Sequence, residues 1–509
     1  MKTLRDLKPL IDTLRESQHL SSAVALLSWD QETYMPPGGG QARAEQLATL
    51  GGLVHEKRVG VEMKGLLSKW LDLETGRLKG DEADWDDSSR ALLREVWRDY
   101  DKAVKLPSDF VRRMGKEASL SQQVWTEARK KNDFPLFAPH LKKIVALKRE
   151  EAAYLGYRAS PYDPLLDRYE PGMTVSQVVP LFAALKAELV PVLKKISDSR
   201  VVPRDDFLHL SYPPEKQLAF GREVLEAMGY RFRDGRQDLS AHPFTTSFHP
   251  TDVRITTRVD PHDLLSSLFS SIHEGGHALY DQGLSPDYFG TPLGEAISLG
   301  IHESQSRLWE NGVGRSRQFW RHFYPILKKQ FPKPLKGVDL ETYYAAINRV
   351  RPSLIRVEAD ELTYNLHIMV RFEIERALIE DDLDVDALPG IWNEKMQEYL
   401  GVVPDSDAVG VLQDIHWSGG AIGYFPTYTL GNLYAAQFLH QAKREMPELD
   451  ARIEKGNFLP LKEWLNEKIH RWGRQYRSEE LVRRVTGESL NPRYFIESLK
   501  EKFGEIYQF

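Results

Sequence analysis

Residues 261–282 read PHDLLSSLFSSIHEGGHALYDQ. Apolar side chains recur along this segment at helical spacing, at Leu265, Leu268, Phe269, Ile272 and Leu279. Such a stripe indicates a helix packed in the core. Asp260 is suited to cap the helix, Pro261 to open its first turn, and Gly283 to follow its end. The segment therefore predicts a buried helix that begins near residue 261.

Similar periodicity continues through most of the chain. Residues 1–30 carry apolar side chains close to helical spacing, and residues 60–160 are charged and periodic, as in amphipathic helices. Glycine clusters at 38–40 and 51–52 are predicted near the ends of helical segments, and four tryptophans are predicted core anchors: Trp70, Trp85, Trp97 and Trp125. We predict one large all-α domain over residues 1–509, which can form two lobes around a groove.

Composition excludes several classes of protein. The 509 residues include 68 Lys and Arg against 74 Asp and Glu, a net charge of −6, with 41% hydrophobic residues. These values are ordinary for a globular protein and argue against nucleic acid or an anionic membrane as a partner. No segment approaches the ~18 apolar residues of a membrane helix, and the charged N-terminus lacks a signal sequence. We expect a soluble cytoplasmic protein.

One segment departs from the helical pattern. Residues 241–259 read AHPFTTSFHPTDVRITTRV, in which alternate positions from Val253 to Val259 are apolar or β-branched. Period-2 alternation bounded by Pro243 and Pro250 predicts a strand. A short β ribbon is therefore expected in an otherwise helical protein.

The segment His273-Glu274-Gly275-Gly276-His277 has the His-Glu-x-x-His (HEXXH) pattern. Two histidines four residues apart on a helix share one face and can bind one zinc ion. Glu274 lies beside them, where it can take a proton from water. A purely structural pair of histidines is the alternative, but two adjacent glycines inside a core helix cost up to ~1 kcal/mol each relative to alanine. Their presence suggests that something approaches the backbone closely.

The third metal ligand must be His, Asp or Glu, because the chain contains no cysteine. Glu303, in an apparent second helix, would complete the two-His, one-Glu set of zinc peptidases. Spacing alone does not select it, since Glu295 and Glu310 are rivals. His302 would then neighbour the ligand or support the site from outside.

Five ordered motifs form a recognisable set. They are His242-Pro243-Phe244, Asp252-Val253-Arg254-Ile255-Thr256, His273 to His277, His302-Glu303-Ser304-Gln305 and Ile355-Arg356-Val357-Glu358-Ala359-Asp360. With them, nearly the whole chain resembles the Taq-type thermostable metallocarboxypeptidases.

The resemblance implies an almost all-helical fold with a deep active-site groove, a homodimer, and zinc or cobalt in the site. It implies a hydrolase that releases C-terminal amino acids from peptides with broad specificity. It also implies that Glu303 is the third metal ligand, with Glu274 as the general base.

A carboxypeptidase must bind the free carboxylate of its substrate, and the planar guanidinium of arginine suits this task. Arg254 lies on the polar face of the predicted strand. Arg356 is predicted on a helix, with Asp360 one turn further at ion-pair spacing. Either arginine can instead form a structural salt bridge. We slightly prefer Arg356 as the residue that binds the carboxylate.

His416 and Tyr428 are candidate donors to the oxyanion that develops during hydrolysis, and Tyr424 is a candidate contact for the substrate terminus. Aromatic core packing is the alternative for this segment. His242 is expected on the wall of the groove. Three further histidines are expected to be core residues or to support the site from outside: His262, His302 and His367.

Two rival functions share much of this pattern. A zinc endopeptidase or dipeptidyl carboxypeptidase would use the same two-His, one-Glu set. A non-catalytic helical scaffold would bind metal structurally and would close the site with a fourth protein ligand.

Overall fold

The computed structural model describes residues 2–509, and over these residues the chain folds into helices and one small sheet. In chain order the first ten helices are α1 Lys8–Thr33, α2 Gly40–Val59, α3 Val61–Trp70, α4 Asp87–Lys105, α5 Ser108–Lys131, α6 Phe134–Leu155, α7 Asp163–Leu166, α8 Val175–Asp198, α9 Pro214–Met228 and α10 Leu264–Gly283. The remaining helices are α11 Leu299–Arg307, α12 Arg317–Gln330, α13 Leu340–Ile347, α14 Thr363–Glu380, α15 Leu388–Leu400, α16 Pro426–Glu445, α17 Leu449–Glu454, α18 Leu459–Lys468, α19 Ser478–Thr486 and α20 Arg493–Tyr507. The predicted all-α class is confirmed.

The chain divides into two compact units, each built from separate segments. Unit 1 contains the chain up to Val104, Arg204–Ile347 and Phe438–Ser489. Unit 2 contains Lys105–Pro203, Asn348–Gln437 and Leu490–Phe509. The division interleaves the two units along the sequence, so no single linker could have marked a boundary.

Part of the unit 1 core is formed by α1, α3 and α4. Leu7, Leu67, Leu92 and Leu93 are fully buried there, and Trp85 is 3% exposed. Trp70 and Trp97 pack against this core from partly buried positions. In unit 2, Trp125 is buried and donates its indole N–H to the carbonyl of Leu412 at 3.1 Å.

The predicted ribbon is a three-stranded sheet in unit 1. Its strands are β1 Gly235–Leu239, β2 Thr245–His249 and β3 Asp252–Thr257, in the order β1-β3-β2. β1 pairs with β3 in parallel and β2 pairs with β3 antiparallel. Val253 and Ile255 are fully buried, as the alternation predicts, but the strand ends before Val259.

Two local predictions were wrong. Asp263, not Asp260, caps α10, and it accepts hydrogen bonds from the backbone N–H groups of Leu265 and Ser266. Asp260 instead accepts from the N–H of His262 in the preceding turn. Gly51 and Gly52 lie inside α2 rather than at its end. A Cβ atom at either position would meet no other atom within 4 Å, so packing does not require glycine there.

The sequence analysis expected no segment apolar enough to cross a membrane. Helix α8 nevertheless meets that criterion by its length and composition alone. In unit 2, however, its buried side chains recur every three or four residues. Lys186 and Glu188 on the same helix pair with Glu398 and Lys500. A single buried stripe with paired charges is the pattern of an amphipathic helix packed within its unit.

Candidate metal centre and charged cluster

Three candidate ligands come together in unit 1. His273 and His277 lie one turn apart on α10, and Glu303 lies on α11. Glu303 Oε2 is 3.6 Å from His273 Nε2 and 3.4 Å from His277 Nε2. One ligand atom from each residue lies within 4.8 Å of the others. The three atoms can therefore contact one ion.

Gly276 allows α10 and α11 to approach this closely. A Cβ atom at Gly276 would lie 2.6 Å from Ser306 Cα and 2.7 Å from the carbonyl oxygen of Gln305. At Gly275 a Cβ atom would lie 2.5 Å from Leu225 Cδ2, a movable side-chain atom. The object that approaches the α10 backbone is thus α11 itself, which carries Glu303.

Each of the two candidate histidine ligands has a partner on its second ring nitrogen. His273 Nδ1 lies 2.8 Å from Glu310 Oε2. His277 Nδ1 lies 2.6 Å from His302 Nδ1, and His302 Nε2 lies 3.0 Å from Asp281 Oδ1. Such partners fix the tautomer and the orientation of a metal-binding imidazole.

The rival carboxylates have other roles. Glu295 pairs with Arg474 at 3.0 Å, whereas Glu310 lies on the π-helical turn Leu308–Val313 and contacts His273 on the nitrogen that faces away from Glu303. Arg307 donates to Glu303 Oε1 at 2.7 Å and to Glu310 Oε2 at 3.2 Å. One guanidinium therefore holds both carboxylates in place.

The charges prepare the site for a cation. Burial raises the pKa of Glu303, but Arg307 and His273 outweigh burial and hold that pKa well below its usual range. Against burial, Arg307 and His273 likewise lower the pKa of Glu310 to about 2. Burial and the neighbouring His302 lower the pKa of His277. Burial also acts to lower the pKa of His273, but Glu303 and Glu310 outweigh it and raise that pKa.

Glu274 is held beside the cluster by the sheet. The carboxylate is 7% exposed, and its Oε2 accepts a hydrogen bond from the Thr245 hydroxyl at 2.6 Å. The other two strands also contact α10, through Gln237 to Ser271 and Thr257 to Ser270. The face of the small sheet that carries Val253 and Ile255 therefore touches the helix that bears the histidines.

The two other candidates from unit 1 are part of this sheet region. Arg254 donates twice to Asp252, at 2.9 and 3.0 Å, and its guanidinium lies 4.5 Å from the ring centroid of Trp29. His242 is exposed, and its carbonyl accepts from Ser240 Oγ at 2.7 Å. His262 is also exposed.

A second buried charged cluster lies in unit 2. Arg356 is 5% exposed and donates through Nε and Nη2 to Asp414, the latter at 2.7 Å. Arg371, fully buried, donates to the other Asp414 oxygen at 2.6 Å. Both guanidiniums overcome burial and hold the pKa of Asp414 far below its usual range. Two cations therefore share one carboxylate.

The predicted partner of Arg356 was wrong. Arg356 lies in a 3₁₀ turn, Arg356–Glu358, rather than on an α-helix, and its carboxylate partner is Asp414. Asp360 instead caps the start of α14, where it accepts from the N–H groups of Leu362 and Thr363. Ion-pair spacing was misleading because residues 356–360 do not form a continuous helix.

The aromatic candidates surround the same cluster. His416 Nδ1 lies 3.8 Å from Asp414 Oδ1, and the ring of Tyr428 lies 5.2 Å from the guanidinium of Arg356. The rings of Tyr424 and Tyr428 are 5.3 Å apart. All three side chains are half-buried, so they are not fully enclosed core residues. His367, in contrast, is fully buried in α14.

Comparison with known proteins identifies the family of the chain. The sequence model of the family described as "Carboxypeptidase Taq (M32) metallopeptidase" matches residues 10–503. The chain belongs to this family. It is 43% identical to thermostable carboxypeptidase 1 of Thermus thermophilus and 39% identical to carboxypeptidase 1 of Bacillus subtilis, each over 98% of both chains.

Solved structures extend the likeness to the fold. The M32 carboxypeptidase of Deinococcus radiodurans superposes with a TM-score of 0.94 at 40% identity, over 99% of both chains. The Pyrococcus furiosus carboxypeptidase gives 0.93 at 38% identity, over 98% of both chains. The family resemblance drawn from the five motifs is confirmed, and with it metal-dependent carboxypeptidase activity.

Sequence reasoning missed several side chains that support the site. Asp281 lies one turn beyond His277, so helical spacing could have suggested it. Sequence reasoning treated Glu310 only as a possible metal ligand. The π-helical turn Leu308–Val313 directs its side chain toward His273 Nδ1, and such a turn has no recognisable sequence pattern. Thr245 reaches Glu274 across 29 residues of chain, and no periodicity predicts such a contact.

Proposed function

We propose that this carboxypeptidase releases C-terminal amino acids from peptides with broad specificity, with Glu274 as general base and zinc, or cobalt, at His273, His277 and Glu303. The observation that carries the proposal is the placement of Glu274 beside three converging ligands that have their own supporting partners.

The donor set fits a divalent ion that prefers nitrogen and oxygen. Two imidazoles with one carboxylate is the ligand set of many catalytic zinc sites, whereas structural zinc sites have four protein ligands. Over residues 2–509, the ligand cluster contains three such side chains. An ion held there would supply Lewis acidity, which lowers the pKa of water and polarises a peptide carbonyl.

In this proposal Glu274 takes the proton from the attacking water and passes it to the leaving amine. The Thr245 hydroxyl donates to one carboxylate oxygen, Oε2, and so leaves the other oxygen, Oε1, available to the water. Arg307 keeps Glu303 anionic, so the carboxylate of Glu303 remains a ligand while Glu274 exchanges a proton.

We propose that Arg356 binds the substrate carboxylate. Arg356 and Arg371 share the single charge of Asp414, so the cluster keeps one positive charge. The protein contacts of Arg356 engage Nε and one hydrogen on each of Nη1 and Nη2. Its fork can therefore still donate to a carboxylate. Arg254 is the alternative, although its guanidinium faces Asp252 in a bidentate pair.

The aromatic residues around the Arg356–Asp414 cluster of unit 2 also have proposed roles. His416 and Tyr428 are proposed to donate to the developing oxyanion, and Tyr424 is proposed to contact the substrate terminus. His242 remains a proposed contact for the substrate backbone, supported by its exposure.

The deciding experiment compares one peptide as the free acid and as the C-terminal amide, with timed analysis of the products. We expect single C-terminal residues from the free acid and little cleavage of the amide. Equal cleavage of both would favour an endopeptidase, and release of dipeptides would favour a dipeptidyl carboxypeptidase. Glu274→Gln should retain metal and lose about 10²–10⁴-fold in kcat. Full activity in that variant would exclude Glu274 as the base.

Three further properties are part of the proposal. Zinc is supported by the two-nitrogen, one-oxygen ligand set, and metal analysis of the purified protein tests it against cobalt. The homodimer rests on the family resemblance, and mass measurement in solution tests it. A cytoplasmic location is also proposed, and cell fractionation tests it.

A further inference from the structure

Two of the five motifs lie on one short path of hydrogen bonds that ends at Glu274. Thr256, the last residue of Asp-x-Arg-x-Thr, is fully buried in β3. Its backbone N–H donates to the carbonyl of Phe244 at 2.9 Å, and its hydroxyl accepts from the N–H of Phe244 at 2.9 Å. Both backbone groups of Phe244, the last residue of His-Pro-Phe, are thus held by one threonine.

The same hydroxyl fixes the turn that leads into β2. Ser240 Oγ lies 2.7 Å from Thr256 Oγ1 and 2.7 Å from the carbonyl oxygen of His242. β2 begins at the next residue after Phe244, and Thr245 pairs with Ile255 of β3 in the antiparallel register. The backbone of Thr245 is therefore fixed on both sides.

Thr245 in turn contacts α10 through its side-chain hydroxyl. Its hydroxyl lies 2.6 Å from Glu274 Oε2 and 3.0 Å from the backbone oxygen of Glu274. A hydroxyl has one proton, and a carboxylate is the stronger acceptor, so the proton belongs to Oε2. A carboxylate side chain has free rotation about its terminal bond unless such a contact selects one orientation.

We propose that Thr245 is a positioning residue that orients the Glu274 carboxylate for proton transfer, and that Thr256 supports it by fixing Phe244. The inference rests on the proposed role of Glu274 as general base. It assigns a task to the His-Pro-Phe and Asp-x-Arg-x-Thr motifs that requires no contact with substrate.

The test compares Thr245→Val, which removes the hydroxyl at similar volume, with Thr245→Ser, which keeps it. Thr245→Val should lower kcat about 10- to 100-fold, because misplacement by about 1 Å can cost ~10²-fold. KM and bound metal should stay as in the unchanged enzyme, and Thr245→Ser should recover kcat to within about threefold. Thr246→Val is the matched control, since alternate strand residues point to the opposite face, and it should leave kcat unchanged.

Thr256→Val tests the supporting contact. It should also lower kcat, and the double variant Thr245→Val/Thr256→Val should be no slower than Thr245→Val, because both changes act through one hydroxyl. A crystal structure of Thr245→Val should show more than one orientation of the Glu274 carboxylate.

Several outcomes would overturn the inference. They are wild-type kcat in Thr245→Val, failure of Thr245→Ser to recover activity, an unchanged Glu274 carboxylate in the crystal, or a loss that follows metal content or Tm. Glu274→Gln separates this inference from the proposal beneath it. If that variant stays active, the assignment of the base fails; if it is inactive while Thr245→Val is fully active, only the positioning role fails.

Discussion

The two units bury charged clusters of opposite sign. In unit 1 the carboxylates of Glu274, Asp281, Glu303 and Glu310 lie around the histidines, against the guanidiniums of Arg307 and Arg315. With neutral histidines, four carboxylates and two guanidiniums leave two negative charges. In unit 2, Arg356 and Arg371 share Asp414, which leaves one positive charge.

The net charge of a buried cluster can indicate which ligand it binds. A buried charge without a counterion is costly, so an excess persists where a ligand compensates it. Two negative charges match a divalent cation, and one positive charge matches one carboxylate. The comparison therefore supports the proposed metal site in unit 1 and, separately, the proposed role of Arg356 in unit 2.

The largest expected effect comes from removing one negative charge of the unit 1 cluster at Glu303, a proposed metal ligand. Glu303→Gln keeps the shape of the side chain but removes its charge, and it leaves Arg307 without one carboxylate partner. We expect metal affinity to fall by more than the 10–100-fold that loss of a supporting partner costs. Metal analysis after dialysis measures this. Full metal content would exclude Glu303 as a ligand and would contradict the charge comparison.

A smaller effect is expected from changing Arg356, one of the two arginines that give the unit 2 cluster its positive charge. Arg356→Lys retains the charge but loses the planar fork, so KM for free-acid peptides should rise about 30-fold, equivalent to ~2 kcal/mol. kcat should change less, and bound metal should not change. Arg254→Lys is the matched control. If KM rises only in that control, the carboxylate site belongs to Arg254 and the unit 2 cluster is a structural ion pair.

The carboxylates that support the two proposed histidine ligands should affect metal affinity less than Glu303 does. Asp281→Asn and Glu310→Gln each remove one negative charge without removing a ligand, and metal affinity should fall 10–100-fold in each. Competition with a chelator measures the affinity. Glu480→Gln, a change in α19 of the same unit outside this cluster, serves as the control. Unchanged affinity in both test variants would show that the charges around the ligands do not contribute to binding.

The sequence predicted those helices and strands that have a periodic apolar pattern, and those site residues that lie in motifs. It did not predict contacts between residues that are distant in the chain. The α10 stripe and the β3 alternation predicted the helix and the strand, and the motifs identified the family. The cap of α10 was placed three residues early because Asp260 and Asp263 are both good caps in sequence. The partner of Arg356 was missed because Asp414 lies 58 residues further along the chain. Such long-range ion pairs leave no periodic signal.

The smallest expected effect is a change with pH in the contribution of Glu310 to metal affinity. Metal binding requires neutral imidazoles, and the nearby Glu303 and Glu310 raise the pKa of His273 despite its burial. As the pH falls, His273 therefore takes up a proton before His277, whose pKa is lowered, and apparent affinity should then fall about tenfold per pH unit.

Glu310→Gln changes both sides of this competition. Without the carboxylate the metal binds less tightly, but the pKa of His273 also falls, so protons compete only at lower pH. The affinity gap between Glu310→Gln and the unchanged protein should therefore be widest near pH 8 and should narrow toward pH 5.5, as measured by chelator competition. A gap of equal size across this range would mean that Glu310 acts only by orienting the ring, and that its charge has no part in attracting the cation.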